Sequence, residues 1–217
     1  LGTSNALVAN PEEIGAIAYN PAAMGFHDHS SISAGLMFFK PSLEVTTASG
    51  NHDSDGSDTV VIPAFQGTWK VADRWRIGLG ANAPFGLETE WPIGTFPQLS
   101  APIGPFPPGV FHPTSSSLEL FSVVPTAAFK VTDAFSLSAG ADYYYVRKVV
   151  LNTYLVDIRG DGDGWGWNLG AMYRNGPFSV GASFHSQATV DVDGDFTSFG
   201  SPSIDADADL DLPSRFQ

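Results

Sequence analysis

One adjacent basic pair, Arg147 and Lys148, sits in an otherwise apolar and aromatic stretch, and it is the natural partner for an acidic head group. If side chains alternate without a break from Phe135, Lys148 and Tyr144 share an inward face and Arg147 points outward at headgroup level. A second candidate is residues 87–117, where Trp91, Phe96, Leu99, Ile103, Phe106 and Phe111 put apolar groups into a segment dense in Pro and Gly. Phe96, Phe106 and Phe111 are expected to offer a surface that gathers an apolar ligand, the alternative being a loop that packs on itself or constricts a pore. Aspartates recur in runs, at 53, 55 and 58, at 161 and 163, at 191, 193 and 195, and at 205, 207, 209 and 211. None completes a calcium loop with its closing glutamate, so these runs are expected to be solvated loop surface, bridged loosely by divalent ions to lipopolysaccharide. His27 and His29 have no third ligand near them in sequence, so no metal is expected there. There is no Gly-x-Ser-x-Gly, no phosphate-cradling loop and no defined carboxylate pair, hence no argument for an enzyme or a cofactor.

The elements that must position these residues follow from composition and period. Hydrophobic residues make up 43% of the 217, aromatics 12% and charged residues only 15%, which excludes a solvated disordered chain. No apolar run reaches the length of a spanning helix, and 23 Gly and 16 Pro punctuate the sequence, so a helical membrane protein is excluded too. The formal net charge of −13 argues against a nucleic-acid partner, and the absence of Cys removes disulfides and thiolate metal sites.

Alternation predicts seven strands, over 31–40, 59–70, 74–85, 118–130, 134–152, 165–174 and 178–190. In the third, Trp75, Ile77, Leu79 and Ala81 oppose Arg76, Gly78, Gly80 and Asn82; the fifth and sixth repeat the scheme, with Tyr144 and Met172 on the inner side. Short turns at 70–75, 130–135 and 174–177 are flanked by Trp69, Trp75, Phe129, Phe135, Tyr173 and Phe178, as an interfacial aromatic girdle would be. Long connections fall on the other side, at 41–58, 87–117, 153–164 and from 191 onward. Short turns at one end and long loops at the other favour an antiparallel transmembrane β-barrel in a bacterial outer membrane over a soluble β-sandwich, such as a carbohydrate-binding one.

Several local segments then share a resemblance. Residues 15–24, with Asn20-Pro21-Ala22, resemble the N-terminal hatch motif of the FadL-type outer-membrane fatty-acid and hydrocarbon transporters. Pro84-Phe85-Gly86 through Trp91 resembles the end of that family's third strand, and Gly164 through Gly170 and Phe184-His185-Ser186 resemble later strand segments. The resemblance implies a hatch over 1–30 and seven strands over 31–217 as half of a 14-stranded barrel; closure is expected from further strands, one of them beginning near Leu212-Pro213-Ser214-Arg215, the alternative being association of two copies. It also implies a monomeric barrel, a lipid and lipopolysaccharide surround, and uptake of a hydrophobic ligand. A gate is expected where Asn20, Pro21 and Ala22 meet a kink at Pro84, Phe85 and Gly86. A passive porin is the competing function.

Overall fold

The computed structural model describes residues 6–10, 15, 18–55 and 59–217. Of the expected hatch, residues 1–5, 11–14, 16 and 17 lie outside the described residues, and so do Asp58 and the side chain of Phe85. The strands are β1 (Ser31–Phe39), β2 (Glu44–Thr47), β3 (Gly50–Asp53), β4 (Val60–Lys70), β5 (Trp75–Glu90), β6 (Ser115–Lys130), β7 (Phe135–Asn152), β8 (Val156–Asn175), β9 (Phe178–His185), β10 (Ala188–Ser198), β11 (Ile204–Leu212) and β12 (Arg215–Phe216). Apart from the small β2–β3 hairpin, they form one antiparallel meander in the order β1-β4-β5-β6-β7-β8-β10-β11, with β9 between β8 and β12.

All seven expected strands are present, with several boundaries moved. β5 runs on to Glu90, so the long connection after it is 91–114. β8 begins at Val156, which turns most of the expected 153–164 loop into strand. The strand expected over 178–190 is β9 and β10, one path along β8 broken at Ser186 and Gln187, where the Ser186 amide still donates to the Trp167 carbonyl at 2.8 Å. An eighth path, β11 and β12, pairs with β10 and β9. The strand expected to begin near Leu212 therefore starts at Ile204. Asp disfavours strands intrinsically, but the Ile-Asp-Ala-Asp alternation of 204–212 sets its small and apolar side chains on one face and lets edge pairing prevail.

The faces of this sheet are inverted relative to a soluble protein. Thr68, Arg76, Thr126, Ser136, Ser138, Asp142, Asn168 and Ser183 are buried on the concave side. Trp75, Ile77, Leu137, Trp165, Leu169, Tyr173, Phe178 and Val180 are exposed on the convex side, Trp165 at 62% and Phe178 at 76%. In water such an arrangement would expose the apolar face and bury the polar one, which hydrophobic burial forbids; in lipid it is the required order. From Tyr173 to Trp165 the convex face of β8 is apolar over about 27 Å of strand, close to one hydrocarbon layer, and Asp163 and Asp161 follow directly beyond Trp165. The six aromatics at the short turns mark the opposite edge, with the Trp75 and Phe129 rings 4.8 Å apart.

The aspartates of the runs from 161 onward are thus strand residues, which corrects their expected placement in loops, whereas Asp53 and Asp55 stay in the connection between β1 and β4. Asp163, Asp191 and Asp209 lie in register across β8, β10 and β11, as do Asp161, Asp193 and Asp207. All project from the convex face, because Val190 and Val192 between them belong to the buried core. Among the described residues, no group of three or more carboxylate or imidazole side chains is arranged to hold a metal ion.

Candidate functional site

The concave face is occupied at its short-turn end by a 3-10 helix, Pro21–Phe26, in which Pro21 through Gly25 are buried. Asn20 fixes it. Its Nδ2 donates to the carbonyls of Val8 and Ala171, both at 3.0 Å, and its Oδ1 caps the helix by accepting from the Ala22 amide at 3.1 Å. The Ser183 hydroxyl donates to the Tyr19 carbonyl at 2.6 Å, the Ser179 hydroxyl to that of Ala9, and the buried Arg76 guanidinium to that of His27 at 2.8 Å. Wall glycines make the fit possible: a Cβ at Gly78 would collide with the Met24 sulfur, and one at Gly170 would lie 2.5 Å from Asn20 Oδ1. Met172, expected inside, packs against Ala22, Ala23 and Phe26, filling the gap between this segment and the wall.

Above this segment is a cavity of about 440 Å³. Leu120, Val124, Tyr144 and Leu212 supply apolar wall, Tyr19 and Pro21 form the floor, and Ala64, Ala81, Asn82 and Pro84 close one end. Its other end carries His185 and Arg215, partners in the β9–β12 register and so on one face. Asp142, fully buried, accepts from Asn168 Nδ2 at 2.8 Å and meets His185 Nδ1 at 2.7 Å. A carboxylate can only accept, so Nδ1 carries the proton and Nε2 is left for other partners. Tyr144 faces the cavity as expected.

At the Ala64–Asn82 end the wall is incomplete. The β4–β5 ladder stops at Ala64↔Asn82 although both strands continue, and the β5–β6 register shifts between Asn82 and Phe85. Pro84, without an amide hydrogen, sits in that interval. A convex-side pocket of about 550 Å³ shares Ala64, Phe65, Ala81, Asn82 and Ser122 with the inner cavity. Pro84 lines the inner cavity beside these shared residues, whereas Gly86 is paired with Glu119 on β6 and lines neither pocket.

Lys148 is not on the cavity side. A bulge interrupts the alternation: between Val146 and Val149 on β7 the partner β8 advances only from Gly162 to Gly160. Val146 and Val149 both pack inward, so Lys148, opposite Glu119, projects from the convex face. It pairs with Glu88 at 3.3 Å, and Arg147 with Glu119 at 3.5 Å. Both line a polar groove with Asp161, Asp193 and Asp207. The expected inward Lys148 assumed an unbroken period, which the bulge invalidates.

In the 91–114 connection, Phe96 turns inward onto Trp91 and His112, with ring centroids at 5.9 and 5.4 Å, while Phe106 and Phe111 remain exposed. The loop both packs on itself and presents apolar groups. Arg215 and the Asp142–Asn168–His185 cluster were missed in the sequence. Asp142 and Asn168 stood on the correct face as an Asp and an Asn among Ser and Gly, the one available signal; Arg215 stood at the start of the strand expected near Leu212, with too little alternation around it to assign its face.

Residues 3–216 match the family described as outer membrane protein transport protein (OMPP1/FadL/TodX). The chain belongs to this family. It is 20% identical over 232 residues to a long-chain fatty acid transport protein of Escherichia coli O6:H1, covering 89% of this chain and 49% of that protein. It is 23% identical over 204 residues to a 47 kDa outer membrane protein of Pasteurella multocida, covering 83% and 45%. The chain spans about half the length of these curated relatives. Among solved structures it resembles a Pseudomonas aeruginosa FadL homologue, with TM-score 0.62, 16% identity, and coverage of 95% of this chain and 60% of that one. It also resembles the Pseudomonas putida toluene transporter TodX, with TM-score 0.61, 18% identity, and coverage of 99% and 61%. The fold is therefore that of an outer-membrane β-barrel wall, and the family consists of transport proteins rather than enzymes.

Proposed function

We propose that this chain forms the ligand-holding side of an outer-membrane transporter for hydrophobic compounds, long-chain fatty acids or hydrocarbons, with residues up to about 30 as its hatch and a lateral exit between β4 and β5. The observation that carries this reading is the pairing of an inner cavity floored by Tyr19 and Pro21 with a gap in the β4–β5 ladder, the two sharing wall residues with a convex-face pocket. An apolar solute that passes from loop surface to cavity to bilayer through such a gap is never solvated by water in a pore. The exposed Phe106 and Phe111, with Phe96 beneath, supply the outer capture surface in this scheme. A passive porin needs a polar, open lumen, and the buried Asn20-to-Gly25 segment stands in its path.

Ala64→Trp tests the exit, because it fills the shared wall without touching the far end of the cavity. Uptake of a radiolabelled long-chain fatty acid by cells should fall while binding to the purified full-length protein persists. Unchanged uptake refutes the lateral route, and the absence of saturable binding in the wild type refutes the transport reading itself.

A further inference from the structure

Part of the wall against the Pro21–Phe26 helix is polar but unsatisfied. Thr68 on β4, Gly78 on β5, Thr126 on β6, Gly140 on β7 and Asn168 on β8 are successive partners in register and form one row across the concave face. Met24 lies against Gly78, on the strand between the two threonines, and Thr126 also lines the cavity. Ser138 belongs to the next row toward the short turns, opposite Ala128 and Gly170, where Gly170 meets Asn20 and Ala22. The hydroxyls of Thr68, Thr126 and Ser138 are shut off from solvent and have no hydrogen-bond partner among the described residues. We infer that these three are gating residues: their hydroxyls go unmet while residues 20–26 are docked and are hydrated once that segment leaves, which weakens docking and lets it open. The inference rests on the reading of this segment as a hatch.

A buried donor left without an acceptor carries its full desolvation cost, which equals or exceeds what one formed hydrogen bond returns. Docking forms a few such bonds, from Asn20 to Ala171, from Ser183 to Tyr19 and from Arg76 to His27. Three unmet hydroxyls therefore offset a large part of that gain. The segment supplies no acceptor for them, because Ala22, Ala23 and Met24 pack on the wall with methyl groups and a thioether. A wall built only to hold these residues would carry Val and Ala at the three positions. Hydroxyls there serve the undocked state, in which water reaches them.

The test is hydrogen exchange of the amides in 20–27 in the full-length protein in detergent, with its conductance in planar bilayers. The variants are Thr68→Val combined with Thr126→Val, Ser138→Ala, and Thr68→Ser. Valine keeps the β-branched shape that suits a strand and removes the hydroxyl. Exchange should slow roughly fivefold or more for each hydroxyl removed, and conductance should fall with it. Thr68→Ser keeps the hydroxyl and should not slow exchange. Hydroxyls that merely support the wall would loosen the segment when lost, so faster or unchanged exchange in the valine and alanine variants overturns the inference, as does equal slowing in Thr68→Ser. A protein deleted for residues 1–30 that conducts like the wild type overturns the hatch reading beneath it instead.

Discussion

Gly170 is the position at which the proposed hatch can be released without weakening the wall. A Cβ added there would lie 2.5 Å from Asn20 Oδ1 and 3.3 Å from the Ala22 amide, and it would strike the Ser138 hydroxyl. The Ser138 hydroxyl can rotate aside. Asn20 cannot, because its two ends are tied to Val8, Ala171 and Ala22. Ordinary contact requires Asn20 to retreat by roughly 1 Å, enough to take hydrogen bonds near 3 Å out of range. Losing two or three of them at about 1 kcal/mol net each costs about 2–3 kcal/mol, a rise of roughly 30- to 150-fold in the undocked population. Alanine in place of glycine favours the strand itself, so Gly170→Ala should leave barrel unfolding unchanged. The assay is conductance of the full-length protein in planar bilayers, with hydrogen exchange of the amides in 20–27. Conductance and exchange should both rise, the conductance approaching that of a protein deleted for residues 1–30. Wild-type conductance in both variants would refute the hatch, and wild-type exchange in Gly170→Ala would refute the docking energetics.

Leu169 lies midway between Trp165 and Tyr173 on the convex face, and Leu169→Lys should cost about 2–4 kcal/mol of folding stability in bilayers, read from urea unfolding in lipid vesicles; a neutral effect would remove this face from the lipid. Asp193 stands between Asp161 and Asp207, so Asp193→Asn should stabilise the barrel by up to about 1 kcal/mol and flatten the salt dependence of its thermal midpoint, measured from low to high salt. Lys148→Ala should leave fatty-acid affinity unchanged in a fluorescence binding assay, since its ammonium is paired with Glu88 away from the cavity; a loss of roughly tenfold or more, that of a charge-assisted hydrogen bond, would contradict the bulge geometry.

The strands, their faces and the membrane setting were legible in the sequence because each rests on local period. Trp75 to Ala81 against Arg76 to Asn82, or Trp165 to Tyr173 against Asn168 and Met172, alternate strictly, and a strand has no other way to sort such a pattern. The short turns with their flanking aromatics likewise need only neighbours in the chain. Three features depended on contacts remote in sequence. The bulge that turns Lys148 outward is a mismatch between β7 and β8, invisible in either strand alone. The aspartate runs read as solvated loop until β8, β10 and β11 bring them into register and cover their small and apolar alternates. The cavity end at Arg215 exists because β12 lays that residue beside His185, thirty residues earlier, over an Asp142 supplied by a third strand. Period fixes which way a side chain points; only strand pairing decides which side chains meet.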